Sequence, residues 1–209
     1  MNRLLTDVDR KHYEKLIVKM FELCPDTMSR KIERANIQQA FMLEIIGREL
    51  EARPGATILC VGSLDDTASE CLRKQGVPVT DIDPVVNNIC LHDFVKTSAL
   101  YDIVFSTSVI EHVEDDDEFM QDICNVLDSG GLAVLTCDFK DDYKVGDPLI
   151  YPDFRFYTNY DLNVRLRTII ENNDCYLVGE PSWVGDPDFE LGGFKYSFAT
   201  IVFRKNFAK

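Results

Sequence analysis

The sequence holds a single tryptophan, no C-x-x-C pair and no apolar run near the ~20 residues that a membrane-spanning helix requires. It is also poor in positive charge, with 22 Lys and Arg against 36 Asp and Glu in 209 residues, a net charge of −14. Each scarcity excludes something. A surface that acidic repels phosphate backbones and anionic lipid, so neither nucleic acid nor a membrane is expected as a partner. The seven cysteines (Cys24, Cys60, Cys71, Cys90, Cys124, Cys137 and Cys175) are scattered and odd in number. Cys60 and Cys137 lie inside apolar runs, where a thiol behaves as a small hydrophobe. A reducing compartment is expected, with no disulfide framework and no zinc site. The first residues, MNRLLTDVDRKHYEK, carry no apolar stretch of signal-peptide length. A cytoplasmic location follows as the expectation.

What remains is ordinary globular material, 45% hydrophobic and 28% charged. The length suits one domain with a small appendage. Residues 1–50 carry nine basic and eight acidic side chains, so the acidity belongs to the rest of the chain. Tyr13, Leu16, Ile17, Met20, Phe21 and Cys24 mark one face of a helix that Pro25 ends. Ser29 can cap a second helix running to the turn Arg53-Pro54-Gly55. Residues 1–53 are therefore expected to form an N-terminal helical cap, and 54–209 the main domain.

From residue 56 the pattern alternates. Thr57–Val61, Val77–Ile82, Tyr101–Ser106 and Leu132–Cys137 are short apolar strands, separated by the helical stretches 67–75 and 116–127, the latter closed by Gly130-Gly131. Near-continuous apolar strands alternating with helices predict an α/β fold, a Rossmann-like and mostly parallel sheet covered on both faces. After a helix that opens on Thr158-x-x-Asp161, Cys175–Val184 and Phe194–Arg204 follow each other without a helix between them. Adjacent strands so connected pair antiparallel.

In such sheets ligands bind at the carboxyl ends of the strands. The first strand is followed by Gly62-Ser63-Leu64-Asp65-Asp66-Thr67, which is neither G-x-G-x-x-G nor a P-loop. A nicotinamide dehydrogenase would need a second glycine there. Asp65 and Asp66 disfavour phosphate and suit a cation, or else simply cap the next helix. Asp83, about 20 residues past the first glycine, can accept both hydroxyls of a ribose. A positively charged nucleoside without phosphate is the ligand this combination describes.

Residues 56–137 resemble the class I S-adenosylmethionine-dependent methyltransferases. The resemblance rests on Ile58-Leu59-Cys60-Val61-Gly62, Val79-Thr80-Asp81-Ile82-Asp83, His92-Asp93-Phe94, the run Tyr101–Val113 with its Glu111-His112-Val113, and Asp128-Ser129-Gly130-Gly131-Leu132. Further on, Arg155-Phe156-Tyr157-Thr158 followed by Asp161-Leu162 is also common in that family. It implies a seven-stranded sheet with an antiparallel C-terminal strand and S-adenosyl-L-methionine as cofactor. In the family's pattern Gly62 and Ser63 would lie along the methionine part, Asp83 would hold the ribose, Asp93 the adenine amino group, and Ser106 would sit beneath the cofactor. The sequence departs from that pattern at Cys60, where an acid is usual, and at Leu64 and Asp66, where glycines are usual. Asp65 or Asp66 would then supply the missing acid to the ammonium group.

For the acceptor, His112 is the base candidate, just past a strand end and titrating near pH ~6.5 when unperturbed. The segment 137–157 is dense in aromatics and carboxylates and suits a sugar ring or a small amine. Asp138, Tyr143 and Tyr157 are its site candidates. The acidic run Glu114–Glu118 has the character of a solvated helix start, and no metal site is expected. The expected activity is methyl transfer to a small molecule, a sugar or polysaccharide precursor among the options. The rival expectation is a non-catalytic binding module whose altered glycine loop has lost the cofactor.

Overall fold

A computed structural model describes residues 1–208. In chain order the elements are β1 (Leu4–Leu5), α1 (Asp7–Leu23), α2 (Pro25–Met28), a 3₁₀ turn (Glu33–Asn36), α3 (Ile37–Ala52), β2 (Ile58–Val61), α4 (Thr67–Lys74) and β3 (Thr80–Ile82). There follow α5 (Leu91–Val95), β4 (Tyr101–Thr107), a 3₁₀ turn (Ile110–His112), α6 (Asp116–Asn125) and β5 (Leu127–Phe139). A π-helical stretch (Asp161–Leu166) runs into α7 (Arg167–Asn172), and β6 (Cys175–Leu177), β7 (Phe189–Leu191) and β8 (Phe194–Lys205) complete the chain.

The sheet runs β1-β8-β5-β4-β2-β3, with β6 and β7 also paired to β8. β3, β2, β4 and β5 are parallel, and β8 is antiparallel to β5 from Leu132↔Arg204 to Phe139↔Ser197. The central parallel strands bury almost every residue because helices cover both faces. One face packs Leu59, Val104, Ala133 and Leu135 against Ile123, Phe119 and Leu166 of the later helices. The other packs Ile58, Cys60, Phe105 and Val134 against Tyr13, Met20, Phe41 and Ile45. The segment 1–53 thus shares a core with the sheet. Among the described residues no helix is long and apolar enough to cross a membrane.

The α/β architecture, the parallel sheet with its antiparallel C-terminal strand and the two helical faces agree with expectation, while the details differ. Eight strands are present where seven were expected. Two short strands lie outside the run expected from the sequence, β1, laid on Ala199 and Phe198 of β8, and β7, which returns to β8 through Gly192-Gly193; the other six are four parallel strands, β6 and β8. Both glycines have positive φ, 60° and 84°, as a two-residue hairpin turn requires. The second helix does not start at Ser29, which closes α2; Ile32 is extended and the helix resumes at Ile37. Gly130-Gly131 lies within β5 and does not close α6. Gly131 is needed there because a Cβ would crowd the Asp128 and Tyr101 carbonyls.

Both sheet edges are covered. The outer edge of β8 takes β7, β1 and β6 in succession. At the other edge the Asn87 side chain does a strand's work on β3: its Nδ2 donates to the Asp81 carbonyl and its Oδ1 accepts from Asp83 N–H.

Candidate active site

The carboxyl ends of β2, β3 and β4 open on a cavity of about 360 Å³. Its walls are Val61, Gly62, Ile82, Pro84 and Ile89 to Leu91, closed opposite by Val109, Val113 and Phe119. His92, His112, Glu114, Asp115, Glu118 and Asp122 supply its polar groups. An apolar slot with an acidic rim accepts a flat, uncharged or cationic ring and repels phosphate.

Gly62 sits at φ 79°, and a Cβ there would overlap the Val109 side chain. Glycine is therefore required for the loop after β4 to close on the loop after β2. Asp83, buried between two wall residues, accepts from Leu64 N–H through Oδ2 (2.9 Å) and from Val85 and Val86 N–H through Oδ1 (2.7 and 3.1 Å). A carboxylate has about four acceptor positions, so these bonds leave it capacity for one more donor.

Other expected cofactor residues are placed differently. Asp65 is solvent-facing and ion-paired with Arg30 (2.6 Å). Asp66 is buried as the N-cap of α4, accepting from Ser69 N–H (2.7 Å) and Gln39 Nε2 (3.0 Å), and burial raises its pKa. Capping, the plainer of their two readings, is what Asp66 does. Asp93 points outward to Lys96 (2.7 Å) and Cys90; the acid facing the cavity on that side is Asp122, whose pKa burial raises. Ser106 is buried and donates to the Val61 carbonyl.

Around the Gly62 loop several buried polar atoms have no partner: Asn36 Oδ1 and Nδ2, Ser63 Oγ, Thr67 Oγ1 and Thr107 Oγ1. They come from three elements tied together at this point. Gln39 of α3 bonds both Asp66 and Ala68 N–H, and Gln38 accepts from Ser108 Oγ (2.7 Å). Buried orphans cost ~1–3 kcal/mol each, so such a group at a strand end is a seat for a polar ligand. The sequence reading passed over Asn36, Gln38 and Gln39, although three amides inside an otherwise apolar helix start were visible.

Beyond the cavity, at the ends of β4 and β5, a second group of side chains meets. His112 Nδ1 lies 3.0 Å from Asp153 Oδ1, with the imidazole 40% exposed and the carboxylate 4%. Asp153 raises the His112 pKa through this bond. Glu111, 1% exposed, is pushed up to about 7 by burial, and its Oε2 has no partner. Asp138 is likewise buried and raised well above the carboxylate range by burial and by Glu111 and Asp153. Tyr196 faces Asp138, and burial raises its phenol too. The segment carrying Asp153 is anchored by Phe154 N–H on the Glu111 carbonyl (2.8 Å). Of these, His112 and Asp138 were expected. Asp153 and Tyr196 were missed because they lie far away in sequence, and Glu111 because it was read only as part of a motif.

Two further candidates belong elsewhere. Tyr157 is fully buried and its hydroxyl is directed at Asp116 Oδ2 (2.8 Å), inside a network with Arg155 and Arg165. Tyr143 stands edge-on to Phe156, which is itself packed on Tyr196 and Phe194. Buried or mutually packed, these rings are not a stacking platform for a sugar.

Comparison with known proteins places the fold. No curated protein matches the chain by sequence. Among solved structures, magnesium protoporphyrin IX methyltransferase from Synechocystis PCC 6803, crystallised with bound S-adenosylhomocysteine, is 12% identical with a TM-score of 0.54, covering 95% of this chain and 99% of that one. The 1,6-didemethyltoxoflavin-N1-methyltransferase from Burkholderia thailandensis is 15% identical with a TM-score of 0.54, covering 93% and 90%. TehB from Haemophilus influenzae is 14% identical with a TM-score of 0.50; the match covers 78% of this chain but only 62% of TehB's length. The methyltransferase-domain family Methyltransf_23 matches residues 33–171, two thirds of the sequence and all of the residues described around the site except Tyr196. The chain belongs to that family, whose cofactor is S-adenosylmethionine.

Proposed function

We propose that the chain is an S-adenosylmethionine-dependent methyltransferase acting on a small molecule, with His112 as the base that takes the acceptor's proton. The observation that carries this is the His112–Asp153 pair, set beside the cavity at the carboxyl ends of β2, β3 and β4.

The residues present fit the cofactor. The apolar slot between Ile82, Pro84, Leu91 and Val109 suits an adenine ring, and Asp83 keeps one acceptor position for a ribose hydroxyl. The unpartnered Asn36, Ser63 and Thr67 side chains would take the amino-acid end, the role first expected of Asp65 and Asp66. When bound, the cofactor supplies an activated methyl group. The protein's own part is to align the acceptor, keep water out and remove a proton. Asp153 holds Nδ1 of His112 and so fixes the tautomer in which Nε2 is free to accept that proton.

Calorimetry with S-adenosylmethionine and S-adenosylhomocysteine tests the reading. Both should give heat with the wild type, and Asp83→Ala should abolish it. His112→Asn should keep cofactor affinity within twofold and slow turnover by roughly 10²–10⁴-fold. No heat from either ligand would support the binding-module alternative, which Asp66, engaged as a helix cap, and the paired Asp65 leave as the second reading.

A further inference from the structure

Most buried carboxylates of this protein are supplied with partners. Asp116 has Arg155, Arg165 and Tyr157, Glu49 has Arg204, and Asp9 has Arg3. The trio Glu111, Asp138 and Asp153 has only the His112 imidazole, on Asp153, and the Tyr196 phenol, on Asp138. No lysine or arginine is paired with any of them among the described residues, and His112 is the one cationic group beside them. Lys140, two residues past Asp138, turns away to Asp142. Glu111 leaves Oε2 buried and outside any hydrogen bond of ordinary geometry. The trio comes from three separate elements, the turn after β4, the end of β5 and the strap 140–154, so no single local preference for acidic residues accounts for it.

From this we infer that the methyl acceptor is a cationic amine, its ammonium head recognised by Glu111, Asp138 and Asp153. An ammonium brings donors where Glu111 lacks one and a positive charge where three carboxyls face one imidazole. A neutral alcohol brings a single donor and no charge, and a carboxylate acceptor would be repelled. The ammonium proton passes to His112, which stands beside the trio, and its departure leaves the nitrogen lone pair free to attack. The inference rests on the methyltransferase reading and adds the acceptor's chemical class to it.

The test is a titration of the full-length protein, saturated with S-adenosylhomocysteine, at pH 7.5. The probes are ethanolamine, dimethylamine and benzylamine, each set against its neutral counterpart (ethylene glycol, dimethyl ether and benzyl alcohol). At least one amine is expected to bind about tenfold tighter than its counterpart, the worth of one charge-assisted bond. Glu111→Gln and Asp138→Asn should each erase that preference while holding S-adenosylhomocysteine affinity within twofold, which shows the variants to be folded. Equal binding of amines and neutral counterparts, no binding of any amine, or a preference that survives in both variants would overturn the proposal. Failure of the methyltransferase reading itself would look different: no heat from the cofactor product at the outset.

Discussion

Two acidic clusters lie within one strap of each other, and they are built on opposite rules. At Asp116 two arginines and a tyrosine converge on a single buried carboxylate, and Arg165 also pairs with Asp117 and Asp161. At Glu111, Asp138 and Asp153 three carboxyls share one imidazole. The first arrangement joins α6 to the strap and the last helix, and its buried carboxylate is fully matched by cations and a hydroxyl, although Arg155 Nε stays without a partner. Among the described residues the second has no arginine or lysine, only one imidazole and one phenol for three carboxyls. Acidity and aromatic content are alike in both, so composition does not separate scaffold from site. The supply of counter-charge does.

The contrast can be tested from its strongest side first. Arg165→Met should cost about 3–5 kcal/mol in urea unfolding, since it strips a cation from a buried aspartate. A loss under 1 kcal/mol would mean that Arg155 alone suffices and would blunt the distinction. Next comes pH. Glu111 holds its proton up to about 7 in the folded protein against an ordinary 4.5, so the folded state binds more protons than the unfolded one between those values. Stability should therefore fall as pH rises through that window, by about 3 kcal/mol. The raised His112 acts in the same direction, its contribution being full below ~6.5 and lost as pH climbs through its folded value. Thermal melts of Glu111→Gln from pH 4.5 to 8 should show a flatter slope than the wild type.

Smaller effects sharpen the picture. Tyr157→Phe should destabilise by about 1–2 kcal/mol, one lost hydrogen bond to a buried charge, with turnover per folded molecule unchanged. Asp138→Asn should stabilise at pH 8 by about 1 kcal/mol, because it removes one of three crowded carboxyls, although turnover falls. Smallest of all, Asp93→Asn should leave S-adenosylhomocysteine affinity within twofold, as its carboxylate faces Lys96 and solvent.

Much of the fold could be read in advance because apolar periodicity is a local signal. The strands at 58, 80 and 101 and the antiparallel end strand begin near where their apolar runs begin, while the run at 132 lies inside a longer strand that starts at Leu127. What escaped was set by tertiary partners. Leu4-Leu5 is too short to announce a strand and forms one only because β8 offers an edge. Asp153 gains its meaning from a histidine 41 positions earlier, and Tyr157 loses its candidate role to an aspartate brought in from α6. Asp65 and Asp66 are neighbours in sequence, yet one meets Arg30 in solvent and the other caps a helix in the interior. No spacing rule distinguishes them.

Because Asn87 answers β3 on one side and three short segments share β8 on the other, the sheet shows no long open ladder to a second chain. The edges left to another chain are short ones, which disfavours strand-to-strand fusion into continuous intermolecular sheets. Association between copies is thereby steered toward side chains on the helices and loops. Such contacts can be tuned by single substitutions without disturbing the backbone that frames the cavity at the strand ends.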